Sequence, residues 1–172
     1  MKADKIYLVG FMGAGKSSVA RVLGRRLDWR VEDVDDRIER AERRDIPTIF
    51  RDAGEPYFRA RERDALLQLL PERGTVVASG GGTFADPANR ELMLRDGAVI
   101  WLDAPLATVL DRVPSDGRRP LATDRLAMEQ LYNQRLAAYR LAHFRVDAGR
   151  GSVEELVDLI VEWLTEHSSR QT

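Results

Sequence analysis

The stretch Ile6-Tyr7-Leu8-Val9-Gly10-Phe11-Met12-Gly13-Ala14-Gly15-Lys16-Ser17 decides how the rest of the chain is read. Four apolar residues run into G-x-x-x-x-G-K-S, the pattern of a phosphate-cradling loop between a buried strand and a helix. Its glycines let the backbone curl so that successive N–H groups, from Gly13, Ala14 and Gly15 on to Ser18, point at one anion. The helix starting near Gly15 aims its positive end at the same place. Lys16 would reach the outer phosphates as a point charge, and Ser17 would offer a hydroxyl to Mg²⁺. Lys2, Lys5 and Lys16 are the only lysines, against 24 arginines. A chain that otherwise writes its cations as Arg keeps Lys where a compact ammonium is needed. The competing reading is a plain Gly-rich turn. Nucleotide binding follows from this stretch; the use of the nucleotide must come from elsewhere.

At 172 residues the chain is one ordinary domain, read as a single unit over 1–172. Hydrophobic content of 44% and charged content of 32% fit a globular protein and exclude disorder. A net charge of -1 gives no general attraction to nucleic acid or anionic membrane. The absence of cysteine excludes thiolate catalysis, disulfides and Cys-based zinc. No apolar run approaches a membrane span or a signal peptide, so a cytoplasmic protein, expected to be a monomer, is the reading.

Strand and helix patterns alternate, which argues for an α/β domain with a parallel sheet. Strands are expected at 6–9, 29–34, 75–78, 98–102 and 144–147. The helix near Arg37–Arg44 reads as a solvated charged face. Pro47 suits the first turn of another helix, and Gly54-Glu55-Pro56 breaks the pattern before a helix to about Leu70. Ser152 with Glu155 forms a capping box for the last helix, and the tail is expected to fray after about His167. Trp101 and Trp163 read as packing residues, and His143 and His167 receive no role.

Ligands in open parallel sheets sit outside the carboxyl ends of the strands. Here Gly10–Ser17 follows the first strand, Asp33-Val34-Asp35 the second and Ser79-Gly80-Gly81-Gly82 the third. On an extended segment Asp33 and Asp35 would point the same way, one toward Mg²⁺ and one toward an attacking hydroxyl. Helix capping is the alternative for both. The glycine run either lets a ligand approach the backbone or is a tight turn. Residues 113–123 hold two prolines and a glycine around Arg118 and Arg119, and read as a mobile cationic lid in which Arg119 could stabilise transferring phosphate. A solvated loop is the alternative, preferred for Arg118. Sequence alone decides nothing for Arg59, Arg112, Arg135 and Arg150.

The ordered set G-F-M-G-A-G-K-S-S at 10–18, D-V-D at 33–35, I-F-R-D-A-G-E-P-Y-F-R-A-R-E at 49–62, S-G-G-G at 79–82, R-R-P-L at 118–121 and R-L-A-A-Y at 135–139 resembles the shikimate kinase family. The resemblance implies a three-layer α/β/α fold of the P-loop, nucleoside-monophosphate-kinase-like type, with a five-stranded parallel sheet. It implies a substrate-binding subdomain at about 35–62, and ATP, Mg²⁺ and shikimate as ligands. Asp35 would hold the ring hydroxyls and attacking oxygen, and Arg59 and Arg135 would clamp the carboxylate. Gly81, flanked by Gly80 and Gly82, would offer its N–H, and Glu62 would orient Arg59 above a floor of Phe50 and Phe58. Asp33 and Ser17 would serve Mg²⁺. Arg119 would close on the phosphates, with Arg112 and Arg150 flanking the adenine. Val34, Ala122 and Ala138 depart from the family pattern without removing a charged contact. The alternatives are a kinase of another polyol acid such as gluconate, or a non-catalytic nucleotide-binding relative.

Overall fold

A computed structural model describes residues 4–112 and 125–169. The lid segment 113–123, with Arg118 and Arg119, and the last three residues lie outside the described residues.

Strand β1, Lys5–Val9, is completely buried, as a strand covered on both faces must be. It lies at the centre of a five-stranded parallel sheet of order β2-β3-β1-β4-β5. The others are β2 (Arg30–Asp33), β3 (Thr75–Ala78), β4 (Ala98–Asp103) and β5 (Phe144–Asp147). Helices α1 (Lys16–Leu27), α2 (Val34–Glu42) and α3 (Ile46–Leu69) precede β3. Helix α4 (Pro87–Asp96) precedes β4, α5 (Leu106–Arg112) and α6 (Arg125–Tyr139) precede β5, and α7 (Val153–Ser169) closes the chain. The connection leaving β1 crosses β3 to reach β2, while the one leaving β3 crosses β1 to reach β4. Right-handed crossovers in opposite directions put helices on opposite faces and open a crevice at the carboxyl ends of β1 and β3. This is the expected three-layer α/β/α arrangement.

The register brings the three polar segments to one level. Leu8 pairs with Ala78, Ala78 with Asp33, and the Ser79 N–H donates to the Leu8 carbonyl at 3.1 Å. The phosphate loop, the aspartates and the glycine run therefore leave the sheet together.

Two local expectations need correction. Strand β2 stops at Asp33 because that residue caps α2, its Oδ1 accepting from the N–H groups of Asp35 (3.0 Å) and Asp36 (3.4 Å). Asp33 and Asp35 thus do not share an extended segment: the first ends a strand and the second lies in a helix's first turn. Val34 between them is fully buried. The charged face of α2 is not simply solvated, since Arg37 ties Glu32 (3.1 Å) to Glu72 (3.0 Å). Helix α7 ends at Ser169, close to the expected position; the His167 ring stacks on Trp163 at 4.4 Å, and Trp163 in turn stacks on Phe144 at 5.1 Å.

Other signals hold. Pro47 sits in the first turn of α3, where Asp45 caps by accepting from the Thr48 N–H. Gly54 (φ 81°) sits at a kink of α3, a backbone conformation that costs glycine little. Ser152 and Glu155 exchange both bonds of a capping box, at 3.2 and 2.6 Å.

Candidate active site

Gly15, at φ 94°, is the N-cap of α1 and offers no side-chain acceptor to the N–H groups of the first turn. Those donors are orphaned by helix geometry and suit an anion. Lys16 is the first helical residue, and its Nζ donates to the carbonyls of Gly10 (2.8 Å) and Phe11 (2.9 Å). The ammonium is thus held over the curl of its own loop. Ser17 donates its hydroxyl to Asp33 Oδ2 at 2.7 Å.

A cavity of about 200 Å³ brings the predicted phosphate residues together with Asp35, Gly80 and Gly81 of the acceptor set, while Arg59, Glu62, Gly82 and Arg135 do not line it. Gly13, Gly15, Lys16, Ser17 and Ser18 line one side, with Asp33 and Asp35 beside them and Ser79, Gly80 and Gly81 opposite. Its size suits the meeting point of two reactants better than a whole nucleotide, since ligand cavities span roughly 300–1,000 Å³. A larger cavity of about 700 Å³, lined by Arg21, Arg25 and Trp29 among others, shares only Ser18 with the predicted set. Size does not select the site here; converging chemistry does.

The three glycines are explained by packing. A Cβ on Gly80 would stand 2.9 Å from Glu62 Oε1, 3.0 Å from Thr83 Oγ1 and 3.1 Å from Asp35 Oδ1. One on Gly81 would stand 3.0 Å from Arg135 Nη1, and one on Gly82 2.6 Å from Arg59 Nη1. Each missing side chain makes room for a different predicted site residue. The run is also the tight turn expected of it, the Thr83 N–H donating to the Gly80 carbonyl at 3.2 Å, and the packing gives its glycines a second reason.

Arg59 and Arg135 reach this run from separate helices. Arg59, on α3, is oriented by Glu62 Oε2 (2.9 Å) and by the more exposed Glu55 (3.1 Å). Burial opposes its charge, but Glu62 and Glu55 outweigh burial and raise its pKa. Glu62 occupies a core position of α3, between buried Phe58 and buried Ala65 and Leu66, and is itself fully buried. A charge on an apolar stripe requires fixed partners. Arg135, on α6, is 6% exposed and its guanidinium stands 5.5 Å from the Phe11 ring centroid. Burial, followed by the like charge of Arg59, pulls its pKa down, with Tyr139 and Glu62 opposing. Two cations close enough to repel, one of them paired with a buried carboxylate, form a place for an anion. Phe50 and Phe58 pack at 4.8 Å, with the Arg59 guanidinium 5.3 Å from the Phe58 ring.

The predicted adenine contacts are less converged. Arg112 Nη1 stands 3.5 Å from the Gly13 carbonyl, at the rim of the loop. Arg150 is exposed on the turn after β5, at the same end of the sheet.

The family model for shikimate kinase matches residues 12–165. The chain belongs to the shikimate kinase family. The shikimate kinase of Sulfurihydrogenibium sp. is 41% identical over 91% of this chain and 95% of its own. Among solved structures, Acinetobacter baumannii shikimate kinase in complex with shikimate superposes with a TM-score of 0.92, at 34% identity over 96% of this chain and 94% of that one. The Aquifex aeolicus shikimate kinase gives 0.87, at 33% identity over 95% and 98% of the two chains.

Two residues at the site carry no strong sequence signal. Thr83 donates its hydroxyl to Glu62 Oε1 at 2.5 Å, with both residues fully buried. Tyr139, 1% exposed, donates to the Gly81 carbonyl at 2.5 Å. Burial raises the Tyr139 pKa strongly, so the phenol keeps the proton it donates. Tyr139 stood in the motif R-L-A-A-Y without a role; Thr83 stood outside every motif.

Proposed function

We propose that this chain transfers the γ-phosphoryl group of ATP to the 3-hydroxyl of shikimate, giving shikimate 3-phosphate and ADP. One observation carries the reading. Two guanidiniums from different helices are packed against Gly81 and Gly82, beside the cavity that holds Lys16 and Asp35. Planar guanidiniums match a carboxylate because each can donate two parallel hydrogen bonds. The acceptor then places a ring hydroxyl toward Asp35, which orients or deprotonates it.

The phosphate loop receives the triphosphate, and Lys16 exchanges its carbonyl partners for outer phosphate oxygens. Arg119, from the lid, adds charge stabilisation, and Arg112 and Arg150 flank the adenine. Phosphoryl transfer asks mainly for positioning and charge stabilisation, so no side-chain nucleophile is needed. The hydroxyl of Ser17 and the carboxylate of Asp33, 2.7 Å apart, fit a hard cation that keeps several waters and takes phosphate oxygens. Mg²⁺ held there would neutralise phosphate charge. Residues 35–62 act as the acceptor-binding subdomain, and the chain works as a cytoplasmic monomer without nucleic acid or membrane. Among the described residues no helix is long and apolar enough to cross a membrane.

ADP release measured with ATP, Mg²⁺ and shikimate, quinate, gluconate or nucleoside monophosphates tests the acceptor. Shikimate should stimulate release most. Stimulation by gluconate alone, or by no acceptor, overturns the reading.

A further inference from the structure

The clamp on the acceptor has a support that the arginines do not explain. An ionised carboxylate only accepts hydrogen bonds, so Thr83 must be the donor in its 2.5 Å contact with Glu62 Oε1. The other oxygen of Glu62 is taken by Arg59 Nη1 at 2.9 Å. Each oxygen therefore has its own donor from its own element, and the carboxylate cannot turn without breaking one of them. Thr83 is itself fixed. It opens the short 3₁₀ turn Thr83–Ala85, its N–H donates to the Gly80 carbonyl at 3.2 Å, and it is fully buried. Its Oγ1 and Glu62 Oε1 share the space a side chain on Gly80 would fill. The glycine run, Glu62 and Arg59 thus meet at one hydroxyl.

We propose that Thr83 is a positioning residue for recognition of the acceptor carboxylate, locking Glu62 and, through it, the guanidinium of Arg59. The inference rests on the reading of Arg59 as a carboxylate clamp. Thr83→Val keeps the shape and removes the donor, leaving a buried carboxylate oxygen short of a bond. Glu62 is then free to turn, and Arg59 loses its buried anchor and keeps only the more exposed Glu55, which accepts from Nε (3.3 Å) and Nη2 (3.1 Å). Thr83→Ser keeps the donor.

The test compares the unaltered chain, Thr83→Val and Thr83→Ser, with shikimate and with its methyl ester as acceptors. For Thr83→Val the KM for shikimate should rise about tenfold, the equivalent of one buried charged hydrogen bond, while KM for ATP and kcat stay within about twofold. KM for the ester, which lacks the charge, should stay within about twofold, and Thr83→Ser should restore the shikimate value. Equal losses for acid and ester, or no rescue by serine, overturn the proposal and leave Thr83 a packing residue. Should the valine variant fail to fold, Thr83→Ala set against Thr83→Ser makes the same comparison.

An unaltered chain with no shikimate-dependent ADP release would sink the functional reading instead. The nitrogen-15 signal of the Arg59 Nη1–H group, the one that donates to Glu62, then judges Thr83. Sharp signals in the unaltered and serine proteins with a broadened one in the valine protein support it, and identical signals in all three overturn it.

Discussion

Both ends of the sheet hold a buried lysine, and the two are held differently. At the amino end, Lys5 is fully buried and donates to the carbonyls of Leu69 (2.6 Å) and Leu70 (3.0 Å) and to Asp96 Oδ2 (2.7 Å). Asp96 also accepts from Tyr7 (2.6 Å) and Arg73 (3.0 Å). These partners stand 64 to 91 residues from Lys5, so the ammonium ties β1 to the ends of α3 and α4 and adds a donor to carbonyls at the end of α3. At the carboxyl end, Lys16 is held by carbonyls only five and six residues back, in its own loop. One lysine joins distant parts of the fold. The other is kept ready beside a cavity. Residue type and burial are alike; the sequence distance of the partners separates architecture from chemistry.

The largest effect that could break this contrast is on Lys16. Lys16→Met should lower kcat about a thousandfold, as loss of a charge aimed at transferring phosphate does, and change unfolding free energy by less than about 1 kcal/mol. A steady-state assay and a urea melt on the same variant check both. A comparable loss of stability would make Lys16 a second Lys5. Next comes Lys5→Met, which leaves Asp96 buried without its ammonium and should cost about 3 kcal/mol in urea unfolding, with kcat within about twofold in the folded fraction. Lost activity at full stability would contradict the division.

Arg135→Ala tests the acceptor side of the cavity. Removing one of two carboxylate donors should weaken shikimate binding about thirtyfold by calorimetry and leave ATP affinity within about twofold. Equal losses would place Arg135 elsewhere. The smallest effect is on pH. Burial resists ionisation of Asp96, but bonds from Lys5 and Tyr7 and the charges of Lys5 and Arg73 outweigh it and hold its pKa below the usual carboxylate value. Its contribution is therefore complete above about pH 4, the unfolded carboxylate range, and is lost as pH falls through the lower folded value. Urea titrations between neutral and acid pH should show that slope in the unaltered protein and a shallower one in Asp96→Asn.

Much of this was legible in the chain. The five strands announced themselves as continuous apolar runs or as extended segments between turn residues, and the phosphate loop fixed the direction of β1 relative to its ligand. Glu62 entered only through the family resemblance, as the partner of Arg59; its burial beside Phe58, Ala65 and Leu66 is seen only in the fold. Asp33 shows where local reading stops. Capping and service at the phosphate site looked like alternatives, yet its two oxygens divide the work, Oδ1 to the helix and Oδ2 to Ser17. Lys5 was visible only as a rare residue, because its partners are brought together by three separate elements. Thr83 was invisible: one hydroxyl adds nothing to a periodic pattern, and its partner lies 21 residues away. The glycine run was legible as special, but its second reason, side chains packed from three directions, exists only after folding.

Phosphorus NMR of the product formed from ATP and shikimate bears most directly on the central claim. A new phosphate monoester coupled to the proton on carbon 3 of the ring, appearing in step with ADP, is the predicted result. Inorganic phosphate without ester, or an ester on another hydroxyl, would contradict it.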